Sequence, residues 1–272
     1  MLCACPNLES LKVSQDNYET APFVSDTLRI IASVIRCNGK LKELGLGWKI
    51  HRLRREAHSI TLDPLPIIAK LDRLSVNFPL PEVNALNKIL EALGPAADTI
   101  TRCEFTFNRI RRPPHGYRCR MRLVKALEFP SLRHLVMNGE LWKCALSPLD
   151  IVRFAPCVVR DLTLGFSETV LVDEHQEQLL ESIATQFPEV EYFHVGFRCF
   201  GRDIDGLLEM HEAALQRLAT NLPKIRAMTV DGQIHSSVYE TESARDHQIF
   251  DPRQYIVERN SETVEVRRVE TL

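Results

Sequence analysis

Phe187-Pro188-Glu189-Val190-Glu191-Tyr192-Phe193-His194-Val195 decides the fold, because its last six residues carry apolar side chains at the first, fourth and sixth places and that spacing returns seven more times. The other copies occupy residues 8–13, 41–46, 71–76, 100–105, 132–137, 159–164 and 225–230. Their first positions are separated by 33, 30, 29, 32, 27, 31 and 35 residues. Self-similarity at a period of roughly 20 to 50 residues is the mark of a repeat architecture. Six residues of strand and two short loops leave room in each unit for a helix of a few turns.

Several segments between the copies have that helix. Apolar residues at spacings of three and four line one face over residues 23–35 (Val24, Leu28, Ile31, Ile35) and 81–93 (Val83, Leu86, Leu90, Leu93). The same holds over 173–187 (Leu179, Leu180, Ile183, Phe187) and 206–222 (Leu208, His211, Leu215, Leu218, Leu222). Residues 64–70, 117–127 and 147–154 could hold only short helices. A proline precedes many of the strands, at Pro6, Pro130, Pro188 and Pro223. Proline cannot continue a helix and extends its predecessor, so it punctuates the corner from helix to strand.

The pattern resembles a leucine-rich repeat, and the long irregular units with proline corners resemble those of fungal F-box and leucine-rich-repeat proteins. The resemblance covers residues 1–232. It implies an α/β solenoid of about eight irregular repeats, a curved arc with a parallel sheet on its concave face and helices on its convex face. The role it implies is that of the substrate-recognition part of an F-box-like ubiquitin-ligase subunit. Two features depart from it. Asn108 is the only clear asparagine at the usual turn position, with Cys199 a substitute, so an asparagine ladder is not expected. No segment reads as an F-box, and no polar cap precedes Leu8. The chain is therefore expected to lack an N-terminal module through which a ligase core would be contacted. After Gly232 the period stops, and residues 233–272 are expected to form a terminal cap, with a hairpin turning at Asn260-Ser261-Glu262, or a partly disordered tail.

Composition narrows the function classes. A formal net charge of -2 gives no global pull toward nucleic acid or anionic membrane. No apolar run approaches the roughly 20 residues of a membrane span, and residues 1–6 lack the parts of a signal peptide, so cytosol or nucleus is the expected location. Cys37, Cys103, Cys144, Cys157 and Cys199 lie scattered among apolar residues, as packed thiols do. Cys3 and Cys5 have no second pair nearby, so neither a metal nor a cofactor is expected.

The strand period also sorts surface from core. If the fourth and sixth places point inward, the third, fifth and seventh face solvent. That face displays a mixed polar set in which Arg73, Arg102, His134, Tyr192 and His194 are the expected contact residues, since arginine and aromatic side chains dominate interfaces. A second surface is the basic loop carrying Arg109, Arg111, Arg112, Arg118, Arg120 and Arg122. Guanidinium groups there could fork onto an anionic partner, although a solvated loop offset by the acidic 168–181 region is the simpler reading. Trp48, Trp142, Phe166 and Phe197 follow repeat strands and are expected to pack beneath the turns.

The expected function is a non-enzymatic scaffold that binds a protein. A stand-alone scaffold unrelated to ubiquitination is one alternative; a (β/α)8 barrel hydrolase is the other. The barrel would gather its chemistry at strand C-termini, yet those positions offer Asp231 as their only carboxylate, and no motif for nucleophilic, metal or phosphate chemistry is present.

Overall fold

The computed structural model describes residues 7–17, 40–50, 70–79, 93–108, 127–139, 154–155, 157–166, 174–200, 204–235 and 247–269. The chain divides into two compact units, Met1–Leu132 with Ile151–Ala155, and Arg133–Asp150 with Pro156–Leu272. In the first unit, β1 (Ser10–Asn17), β2 (Glu43–Ile50), β3 (Arg73–Pro79) and β4 (Arg102–Asn108) lie parallel in sequence order. In the second, β5 (His134–Gly139), β6 (Asp161–Phe166), β7 (Tyr192–Phe200) and β8 (Ala227–His235) do the same. β9 (His247–Arg259) and β10 (Val264–Val269) then add antiparallel strands. Each unit is a stretch of sheet-rich solenoid.

Every six-residue copy supplies a strand that begins at its third place, and within each unit the parallel pairs match place for place: Ser10, Glu43, Arg73 and Arg102 are register partners, as are His134, Asp161, Tyr192 and Ala227. From the second copy onward no first, fourth or sixth residue is more than 5% exposed. Each leucine-sized side chain removed from water contributes about 1.5–3 kcal/mol, so this column of apolar residues is the main stabilising core of the sheet. Leu8 and Val13, in the copy whose strand has a partner on one side only among the described residues, are half-buried.

Three of the proline corners, those at Pro130, Pro188 and Pro223, are hydrogen-bonded turns. Leu132, Val190 and Ile225 donate their N–H to the carbonyls of Phe129, Phe187 and Leu222, which places Pro130, Pro188 and Pro223 at the second turn position, where a φ near −65° is already correct. Phe187 also donates to Ile183 and Leu222 to Leu218, so the residue that closes each helix opens the turn. The next backbone groups are satisfied by a repeated fork. The second-place carbonyls of Glu9, Lys42, Asp72, Arg133, Arg160 and Glu191 each accept two N–H groups from the following strand. At Leu71 a side chain takes over instead: Thr99 Oγ1 lies 2.9 Å from both the Leu71 N–H and its carbonyl oxygen.

Two helices are described, α1 (Glu174–Gln186) and α2 (Ile204–Asn221), where the sequence period places them. Leu180 and Ile183 of α1 are buried, as are Leu215 and Leu218 of α2, and the helices pack side by side. A 3-10 turn occupies Gly94–Thr99. The expected helix at 23–35, and those at 64–70, 81–93, 117–127 and 147–154 apart from their last residues, lie outside the described residues. Trp48, Phe166 and Phe197 lie within β2, β6 and β7, because those strands run past the turn position expected from the six-residue pattern. Trp142 is outside the described residues.

β8 is paired with β7 on one edge and with β9 on the other. The β9–β10 hairpin turns at Asn260, whose Oδ1 accepts from the Glu262 and Thr263 N–H groups. It is fastened to α2. The Gln216 amide donates to the Val264 carbonyl at 2.7 Å and accepts the Val266 N–H at 3.2 Å. Those two groups point away from β9, so one glutamine occupies part of the last strand's open edge, the place where a foreign strand would add. Gln216→Ala is expected to cost about 1–2 kcal/mol, the net value of two hydrogen bonds, and to raise self-association. Chemical denaturation and light scattering check the two effects; an unchanged scattering profile would mean the edge is guarded by something else.

Candidate binding face

All third, fifth and seventh places of the eight strands are exposed or half-exposed, with one exception. Gly45 is buried because Lys12 lies across it: a Cβ added to Gly45 would sit 2.9 Å from Lys12 Cγ. Asn138 leans over Gly165 in the same way, while nothing approaches Gly196. The face is therefore uneven, with long side chains draped over glycines.

In the first unit Arg73 and Arg102, both expected contact residues, are direct register partners on β3 and β4. They line a depression of about 190 Å³ together with Lys12, Glu43, Ser75 and Glu104. Arg73 is engaged by Glu43 at 3.0 Å and by Asp72 at 3.8 Å. An exposed pair of this kind is worth only about 0.2–1 kcal/mol, so it can be exchanged for a better partner.

In the second unit the third-place row reads His134, Asp161, Tyr192, Ala227 and then Ile256 on β9. His134 Nδ1 lies 2.7 Å from the Asp161 carboxylate. His194 stands in the adjacent row, beside Thr163 and Thr229. Tyr192 and Ile256 are 48% and 49% exposed and are the exposed large apolar side chains among the described residues. Only Ala227 separates them across the sheet, which joins them into one apolar strip. Arg267, the partner of Ile256 on β10, closes the row, held by Glu258 at 3.2 Å and Glu265 at 2.9 Å.

Ile256 is the exposed apolar residue of this face that the sequence did not single out. Its strand could be read from the hairpin turn at Asn260, but its place beside Ala227 depends on the pairing of β9 with β8. The whole basic set, Arg109, Arg111, Arg112, Arg118, Arg120 and Arg122, lies outside the described residues.

Among the described residues no group of three or more His, Cys, Asp or Glu side chains could hold a metal ion, and no helix is long and apolar enough to cross a membrane. Cys103 and Cys157 are buried thiols. Burial pushes the Cys157 thiol up from 9.0 to about 11, opposed in part by a backbone hydrogen bond with Val159. A group this far above neutrality is a poor nucleophile. Alkylation at pH 8 is expected to reach Cys157 only after denaturation, as read by peptide mass spectrometry. Because the unfolded thiol ionises first, its contribution to stability is full below pH 9 and is lost as pH rises from 9 to about 11.

Comparisons with protein families, with curated proteins and with solved structures return no match.

Proposed function

We propose that this chain is a non-enzymatic scaffold whose exposed strand face binds a protein partner. The observation that carries the reading is the single row of Tyr192, Ala227 and Ile256, a strip of solvent-facing apolar surface bordered by His134, Asp161 and Arg267. Apolar anchors inside a polar rim are the usual anatomy of an interface. The leucine-rich-repeat resemblance supports a finer reading, that of the substrate-recognition part of an F-box-like ubiquitin-ligase subunit in cytosol or nucleus.

Affinity capture with the full chain, compared with a Tyr192→Ala/Ile256→Ala variant, tests the binding face. Co-purifying proteins are expected to fall by about tenfold or more, since each anchor of this kind contributes roughly 1–2 kcal/mol. An identical set of captured proteins would contradict the proposal. A cullin-ligase core among the captured proteins would support the finer reading. A stable partner set lacking that core would favour a stand-alone scaffold.

A further inference from the structure

The outer edge of β10 fits an antiparallel copy of itself, and Gln216 holds part of that edge in the free chain. One side of β10 is paired with β9 along its whole length. On the other side the Val264 carbonyl and the Val266 N–H meet Gln216, and by the same alternation Arg268 turns its N–H and carbonyl outward. An incoming antiparallel strand would therefore bond to residues 264, 266 and 268.

Sheet edges are often protected by charges of one sign, which repel every copy alike. β10 instead sets Glu265 and Arg267 on one side of the strand, 2.9 Å apart. In a twofold antiparallel pair the outward groups meet only when some residue stands opposite its own copy, so each register is named by that residue. Centring on Glu265, Arg267 or Arg268 sets like charges directly opposite one another, which destabilises a pair. Centring on Val264 draws Glu262, from the turn, opposite Val266. Centring on Val266 sets Glu265 opposite the second copy's Arg267 and Arg267 opposite its Glu265. Glu265 also gains by it. Its register partner on β9 is Glu258, a carboxylate facing a carboxylate with Arg267 shared between them, and the second copy brings an arginine to its other side.

We infer that β10 is a dimer seam, at which two copies of the chain join antiparallel about Val266 as each withdraws Gln216 from the edge. Such a seam makes about six backbone bonds, while each glutamine gives up two. The two arrangements are close in strength, so Gln216 sets how much dimer forms. The twofold axis is perpendicular to the sheet, so the Tyr192–Ile256 strips of both copies open toward the same side. The seam itself does not depend on what that face binds.

Sedimentation velocity of the full chain over a concentration series tests the seam. A weak monomer–dimer equilibrium is expected, and Gln216→Ala is expected to tighten it about tenfold or more by removing the competing bonds. In that background Glu265→Arg, which sets arginine opposite arginine twice, is expected to weaken the dimer about tenfold. The exchange Glu265→Arg/Arg267→Glu is expected to restore it, because opposite charges face one another again. Both positions are exposed, and an unchanged melting temperature shows that the variants fold. Amide exchange supplies a reading without charge variants: the Arg268 N–H of the Gln216→Ala chain is expected to slow as concentration rises. A Gln216→Ala chain that stays monomeric, oligomers that grow past the dimer, an exchange of charges that restores nothing, or Arg268 exchange indifferent to concentration would each overturn the seam.

Discussion

Phe105→Ala is expected to cost about 3–5 kcal/mol, the largest single-residue effect in the described part of the chain. Phe105 is the sixth-place residue of the fourth copy and is 1% exposed. Its ring lies 6.2 Å from that of Phe154, which in turn lies 6.3 Å from Phe129, both pairs tilted rather than stacked. The bridge between Leu127 and Phe154 ties the same residues through the backbone, with the Ala155 N–H donating to Leu127 at 2.8 Å. Truncating Phe105 removes one ring from the cluster and leaves a cavity beside two connecting segments that the backbone bridge ties together and keeps from collapsing into it. A domain stable by roughly 5–15 kcal/mol loses a large part of that margin. Urea titration checks it, with Phe105→Leu as the control expected to cost well under half as much; equal costs would show that shape at this site is not what matters.

The second large effect is expected at Arg259. Its Nη2 donates at 2.6 Å to the carbonyls of both Ala219 and Leu222, groups that the end of α2 leaves without helical partners. A cation at a helix C-terminus also meets the negative end of the dipole. Arg259→Met keeps the apolar stem and removes both bonds, at a cost of about 2–3 kcal/mol, the value of hydrogen bonds made by a charged donor. Arg259 closes the hairpin onto the helix from one side, and the buried Tyr255 does so from the other, with its hydroxyl 3.2 Å from Glu212. Burial, and then the charge of Glu212, push the Tyr255 phenol up, so it stays protonated as a donor. Loss of Arg259 is therefore expected to speed amide exchange across residues 254–269 ahead of the remaining strands. Exchange that accelerates evenly over the whole second unit would mean that the hairpin and solenoid unfold together.

The core was legible because a strand has period two and a repeat restates it. Leu135, Leu162, Phe193 and Met228 were assigned inward from spacing alone, and all are buried. The proline corners were legible for an equally local reason, since Pro188 and Pro223 act on their immediate neighbours. What depends on pairing across the chain was not legible. The fork at six of the second-place carbonyls has no residue signature, because backbone groups make it. Thr99 gives no sign in sequence that its hydroxyl serves Leu71, 28 residues away. The candidate face was legible residue by residue, but not as sites. Arg73 and Arg102 become one place only when β3 and β4 pair in register, and the hollow beside them exists because Gly45 lacks a side chain beneath Lys12. Tyr192 gains its apolar neighbour from β9, a strand outside the repeat pattern.

The central claim is that the six-residue period separates a buried column from a solvent-facing binding surface. Hydroxyl-radical footprinting of the unaltered protein, read by peptide mass spectrometry, tests it most directly. Methionine is among the side chains most readily oxidised, yet Met137 and Met228 are 0% and 1% exposed at core places, while Tyr192 is 48% exposed on the face. The expected result is rapid oxidation of Tyr192 with both methionines protected until the chain unfolds, and protection of Tyr192 once a partner is bound. Oxidation of Met228 as fast as that of Tyr192 in the folded protein would contradict the account.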